Sequence, residues 1–239
     1  IIVSNGCLNW DNELLDRIPE IEGAADDAAF KQVLELMLMN AGEMVPTSAT
    51  LPTIPDSLNN NTDLSWIDDP IFSEGSREIL NIIKDEFRPQ DNIYVRAQFS
   101  WPNFASDEQY HMDEAYPSEG KRILALFRYW NIINYFFPYK DIMDQDWDTT
   151  LKEFIPPIVE ATDAVSYNLA FKRLTAKIDD SHAFFTSPTY SHWRGNNYPN
   201  FLVRTIVNEM VITKALPSFA QVKVGDVIRA IDGVPIEEI

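Results

Sequence analysis

The sequence predicts an α+β chain, mostly helical at its N-terminal side and closing in a small β module. Three observations carry that prediction. Apolar residues recur at helical spacing through residue 178. A stretch near the start returns 137 positions later. From Phe201 onward the apolar period changes from 3.6 to 2.

The repeat is the strongest of these. Trp10, Asp11, Leu14, Ile18, Pro19, Ile21, Ala24 and Asp26 meet Trp147, Asp148, Leu151, Ile155, Pro156, Ile158, Ala161 and Asp163. That is eight identities across the seventeen positions 10–26, where ordinary residue usage gives about one. Phe30, Leu34 and Met37 then face Tyr167, Phe171 and Leu174. Each copy reads as two helices. The first begins near Asp11 or Asp148, and Pro19 or Pro156 is expected to stop or kink it. The second begins with Asp26 or Asp163 as N-cap, because a short carboxylate there accepts from free backbone N–H groups. A further helix precedes the second copy, with Ile123, Phe127, Trp130 and Ile133 inward, Arg122, Arg128 and Asn131 off that face, and Pro138 ending it. By the offset, its counterpart in the first copy would precede Ile1, so an N-terminally truncated first repeat is expected.

These elements suggest five segments: a first helical repeat over 1–45, a proline-punctuated linker over 46–63, a mixed segment over 64–117, a second helical repeat over 118–198 and a partial β module over 199–239. The mixed segment holds one helix, about 74–87, with Ile79, Ile82 and Ile83 inward, and a strand from Asn92 to Phe99. The β module reads as strands Phe201–Ile206, Glu209–Thr213 and Val227–Ile231. Asp232-Gly233 signals a turn, with no further strand expected after it.

Composition narrows the function. With 239 residues, 45% hydrophobic, the chain buries a core without disulfides. A formal charge of −18 argues against nucleic acid and anionic membrane surfaces as partners. The single cysteine, Cys7, excludes a disulfide framework, and no run of 18 apolar residues exists to span a bilayer. The eight glycines form neither a phosphate-cradling loop nor a nucleophile elbow. The three histidines make no zinc helix, and Asp144, Asp146 and Asp148 open a calcium-like loop that Thr149 and Ile155 break, so neither a metal nor a cofactor is expected.

His182 stands out among the histidines. In Asp179-Asp180-Ser181-His182-Ala183-Phe184-Phe185 it follows a helix and precedes an apolar stretch that reads as a short strand. An imidazole held there serves either as a packed structural residue or as a general base, which a serine nucleophile requires. Ser181 points elsewhere along the backbone and at most supports the imidazole from behind. His111 and His192 lie in polar, loop-like surroundings and read as structural.

Two stretches resemble a known family. Arg122 to Tyr139, with Trp130-Asn131 and Tyr135-Phe136-Phe137-Pro138-Tyr139, followed by Asp146-Trp147-Asp148 and Asp179-Asp180-Ser181-His182, is similar to the helical segment ahead of the catalytic core in tricorn and C-terminal-processing (tail-specific) serine peptidases, the secreted bacterial ones above all. Val224-Gly225-Asp226-Val227-Ile228-Arg229-Ala230-Ile231-Asp232-Gly233-Val234-Pro235 resembles the Gly-Asp-x-Ile-x-x-Ile-x-Gly of the PDZ-like domain that follows it in that family, and residues 3–42 resemble relatives reading Leu-Asn-Trp-Asp. The resemblance implies a secreted, periplasmic or cell-envelope hydrolase acting on peptides or proteins. It puts His182 on the general base and Ser181 on the serine that helps orient it, with the nucleophile and acidic partner beyond residue 239. Ser181 departs from the glycine of many bacterial relatives, and the connection Ala220 to Gly225 is shorter than usual for a PDZ-like domain. The alternative expectation is a non-catalytic peptide- or protein-binding module of helical repeats plus a PDZ-like domain.

Overall fold

The computed structural model describes residues 9–41, 55, 63–86, 95–98, 101–104, 114–216 and 221–238. Cys7, His111 and most of the expected linker lie outside these. The described residues form a mostly helical α+β fold in two compact units, Ile1–Tyr190 and Ser191–Ile239. The second unit holds five basic and five acidic residues, so the charge of −18 resides in the first.

The repeat governs the first unit. Helices α1 (Trp10–Glu22) and α2 (Asp27–Met39) match α5 (Trp147–Val159) and α6 (Ala164–Ala176) at both ends with the offset of 137 read from the sequence. Their caps match as well. Asp26 accepts from the Ala29 N–H and Asp163 from the Ser166 N–H, at nearly the same backbone angles (φ −158, ψ 176 and φ −155, ψ 174). Asn9 and Asp146 cap α1 and α5. The prolines do not stop these helices. Pro19 and Pro156 sit inside them, and their carbonyls accept from Gly23 N (3.0 Å) and Glu160 N (2.8 Å), so each helix completes a further turn. Pro removes one helical N–H but leaves its own carbonyl to continue the ladder.

The matched positions are buried to different depths in α1 and α5. In α5 the buried positions are Trp147, Thr150, Phe154 and Ile158. Their counterparts in α1 are Trp10, Glu13, Arg17 and Ile21, and Glu13 there pairs with Arg17 at 3.1 Å. Between the pairs runs α4 (Glu119–Phe136). On one side, its Leu126 joins Trp147, Phe154, Ile158, Ala170, Phe171, Leu174 and Ile178 in the main core, with Phe127, Trp130 and Ile133 packed against it. On the other, α1 crosses close over Gly120, where a Cβ would lie 3.3 Å from Leu15 and 3.4 Å from Ile18. Arg128 clamps the same contact, reaching Asp11 at 2.6 Å. Burial raises the Asp11 carboxyl above its ordinary range despite that guanidinium.

Arg122, expected off the face of Ile123, Phe127, Trp130 and Ile133, is buried. It is 5% exposed, and its guanidinium donates to Pro117 O (2.9 Å), Ile158 O (3.0 Å) and Val159 O (2.7 Å). The last two are carbonyls at the C-terminal end of α5, the negative end of the helix dipole. Tyr116 covers the guanidinium, its ring centre 4.7 Å away, and donates its hydroxyl to Ala161 O. At the other end of the α4–α5 contact, Trp130 and Trp147 exchange hydrogen bonds, each Nε1 donating to the other's carbonyl at 3.0 Å. Trp10 has no such arrangement, and among the described residues its buried Nε1 has no hydrogen-bond partner.

A smaller cluster, Leu38, Ile67 and Leu80, joins α2 to a 3-10 turn (Ser65–Asp68) and to α3 (Glu74–Glu86). Glu35 of α2 accepts from Ser73 Oγ just ahead of α3. Strands β1 (Val95–Gln98) and β2 (Trp101–Phe104) pair antiparallel. The sequence reading anticipated β1 and missed β2, a four-residue strand that contains Pro102. Helix α7 (Pro188–Arg194) leads from the first unit into the second. His192 therefore lies on a helix, not in the loop expected.

The second unit is an open antiparallel sheet, β3 (Phe201–Ile206), β4 (Glu209–Ala215) and β5 (Val227–Ile228), followed by a hairpin of β6 (Ala230–Ile231) and β7 (Val234–Pro235). Val207 and Asn208 turn β3 into β4 with φ of 49° and 66°, the twist a two-residue hairpin favours. Asp232-Gly233 does the same for β6 and β7, with φ of 51° and 85°. Two expectations are corrected here. The strand read as Val227–Ile231 breaks at Arg229, whose carbonyl accepts from Ile236 N, and a further strand does follow the Asp-Gly turn. Ile212, 2% exposed, is the buried residue of this sheet, while Leu202 on β3 is 60% exposed.

Candidate active site

The segment bearing His182 is fixed at both ends by the main core. Upstream, α6 ends and Ile178, 4% exposed, plugs that core. Downstream, Ala183 and Phe185 pack against it, and Phe185 stacks on Phe171 at 6.5 Å between ring centres. Further on, Ser187 donates to the buried Asn168 and accepts from Tyr190 N. No strand forms over Ala183–Phe185, contrary to expectation. Phe184 is 77% exposed, so only alternate residues reach the core, and among the described residues no strand pairs with this segment.

Between these anchors the chain turns outward. Asp179 takes a positive φ of 56°, uncommon for a non-glycine residue though more accessible to Asp than to most. Ala183 N donates to Asp180 O at 2.9 Å and closes a turn with Ser181 and His182 at its tip. His182 N donates to Asp180 Oδ1 at 2.8 Å. The same oxygen lies 3.3 Å from His182 Nδ1. Ser181 Oγ is farther from that nitrogen, at 3.5 Å. The Asp180 carboxyl is held below its ordinary range, first by the hydrogen bond from the His182 backbone N–H, then by the imidazole itself.

His182 and Ser181 are therefore adjacent, as the sequence dictates, but the imidazole is not packed between elements. Its side chain is 93% exposed. The residue that sequence reasoning missed is Asp180. Its signal was an Asp two positions ahead of the histidine, the spacing at which an Asp side chain bonds the backbone of its own turn. His192 lies exposed on α7. Asp146 of the calcium-like run caps α5, accepting from Thr149 N at 2.8 Å. Among the described residues, no group of three or more His, Cys, Asp or Glu side chains is placed to hold a metal ion, and no helix is long and apolar enough to cross a membrane.

Two aromatic hydroxyls line the core behind this segment. Burial pushes the Tyr129 and Tyr167 phenols up to about 12. Both rings meet Phe171 edge-on, and so form part of the wall on which Phe185 rests. Comparisons with protein-family models, with curated proteins and with solved structures give no match to this chain.

Proposed function

We propose that this chain is the part of a secreted or envelope serine peptidase that supplies the general base, His182, together with a PDZ-like module that handles peptide substrate. The reading puts the nucleophilic serine outside these 239 residues. One observation carries it: the imidazole projects from a turn anchored at Ile178 and at Ala183 and Phe185, with a carboxylate oxygen 3.3 Å from Nδ1. A general base needs its far nitrogen accessible and its near nitrogen oriented, and this arrangement suits both needs. Exposure of the imidazole fits a base that meets its serine on another segment.

The test is active-site labelling with a fluorophosphonate. The 239-residue chain alone is expected to stay unlabelled, since no serine in it has glycine-rich surroundings to form an oxyanion hole. The complete gene product is expected to label at a serine, and His182→Ala to suppress that labelling. Wild-type labelling in the His182→Ala protein would refute the proposal.

A second reading, a peptide-binding module without catalysis, is favoured by the open sheet of the second unit. Strand β3 is an edge strand with Leu202, Val203 and Ile206 exposed, and such an edge accepts an extended peptide. A complete protein that binds peptides but carries no fluorophosphonate-reactive serine would establish this reading.

A further inference from the structure

We infer that Asp180, rather than Ser181, is the positioning residue that fixes the tautomer of His182 and leaves Nε2 as the nitrogen that accepts a proton. The inference rests on the reading of His182 as general base, and it departs from the resemblance, which gives the orienting role to Ser181.

Three features of the turn support it. Asp180 Oδ1 is held in place before the imidazole is considered, because it already accepts the His182 backbone N–H at 2.8 Å. A carboxylate so held does not have to be ordered by the ring it orients, which lowers the entropic cost of the second contact. The contest for Nδ1 then favours Asp180. A neutral imidazole Nδ1 carries one hydrogen at most. It faces an ionised oxygen at 3.3 Å and a neutral hydroxyl at 3.5 Å, and the charged acceptor makes the stronger hydrogen bond. Finally, the turn is covalently short. Asp180 and His182 are two residues apart and their backbone is closed by Ala183 N donating to Asp180 O at 2.9 Å, so the pair keeps its geometry although the ring is exposed.

The consequence is chemical. With hydrogen on Nδ1 and directed at Asp180, the lone pair sits on Nε2 on the outer side of the ring. When Nε2 takes the proton of a serine hydroxyl, the resulting imidazolium faces a carboxylate that is already ionised. Asp180 takes no proton; it holds the ring and offsets the charge that develops on it, the part a buried aspartate plays in a Ser-His-Asp triad. Here the carboxylate comes from the same turn as the base.

The test reads the tautomer directly, by two-bond 15N–1H correlation of the His182 ring in the 239-residue chain at about pH 8, above the ordinary imidazole range. The wild type is expected to show predominantly the Nδ1–H form. Asp180→Ala is expected to shift His182 to the Nε2–H form, and Ser181→Ala to leave it unchanged. Asp180→Asn keeps an oxygen for the turn while removing the charge, and is expected to shift it less. Equal tautomer populations in wild type and Asp180→Ala, or a shift in Ser181→Ala alone, would overturn the inference. The ring is read whether or not the complete protein is a peptidase, so failure of the peptidase reading is a separate result, visible as missing fluorophosphonate labelling. In the complete enzyme, Asp180→Ala is expected to lower kcat by about tenfold or more with little change in KM. An unchanged kcat would overturn the positioning role.

Discussion

Arg122 gives the sharpest test of how the first unit is held together. Arg122 is 5% exposed, and its guanidinium donates to three carbonyls, Pro117 O, Ile158 O and Val159 O. Arg122→Met keeps an apolar stem and removes every donor. The charge goes with the donors, so no unpaired ion is left behind, and the loss is that of three acceptors stripped of their partner. At about 1–1.5 kcal/mol for each acceptor, the cost is about 3–4.5 kcal/mol. Loss of the Tyr116 ring contact, at 4.7 Å, adds about 0.5–1 kcal/mol. The sum, about 3.5–5.5 kcal/mol, lowers Tm by roughly 7–22 °C for a unit of this size. Arg122→Lys keeps a charge but not the planar fork, and should fall about midway. The assay is urea and thermal unfolding followed by helical circular dichroism. A loss below about 1 kcal/mol for Arg122→Met would show that water satisfies these carbonyls, and would refute the argument that Arg122 closes the end of α5.

Other expectations follow from single contacts. Trp147→Phe removes one half of the reciprocal pair with Trp130 and should cost about 1–3 kcal/mol, whereas Trp10→Phe deletes a buried donor that has no partner among the described residues and should stay within about 1 kcal/mol of wild type in urea unfolding. Gly75→Ala places a Cβ 2.6 Å from Glu35 Oε1 and forces that carboxylate off Ser73; about 1 kcal/mol should be lost, and the loss should vanish when Glu35→Ala is added, as a double-mutant cycle will show. The Asp163 carboxyl lies below its ordinary value of 3.8 because the Ser166 N–H bonds it; its contribution is present above the unfolded value and is lost as pH falls through the lower folded one, so the acid-side fall of Tm should be shallower in Asp163→Asn.

The legible and illegible parts of this chain divide along local and tertiary physics. The starts of α1, α2, α5 and α6 follow from caps and periodicity within a few residues, and Asp26 and Asp163 alone mark those of α2 and α6. The turn chemistry of Asp232-Gly233 was legible too, but the strand after it was not, because β7 is two residues long and ends in a proline. Pro19 and Pro156 read as helix stops or kinks because propensity sees the missing N–H, while the structure continues through the carbonyl. The burial of Arg122 is not legible locally, because its partners Ile158 and Val159 are 36 and 37 positions away. At the candidate site, His182 and Ser181 were legible as a motif. The strand expected over Ala183–Phe185 was not formed, since only Ala183 and Phe185 of that apolar run find the core. The role proposed for Asp180 is a property of the closed turn, and the Asp two positions ahead of the histidine is its one trace in the sequence.

His182 carries the proposed peptidase chemistry, and the turnover of the complete protein measures its part. With a peptide substrate, His182→Ala is predicted to reduce kcat by about 10⁴ or more while leaving Tm unchanged, because a side chain 93% exposed contributes no packing. Turnover within a few-fold of wild type in a folded His182→Ala protein would contradict it.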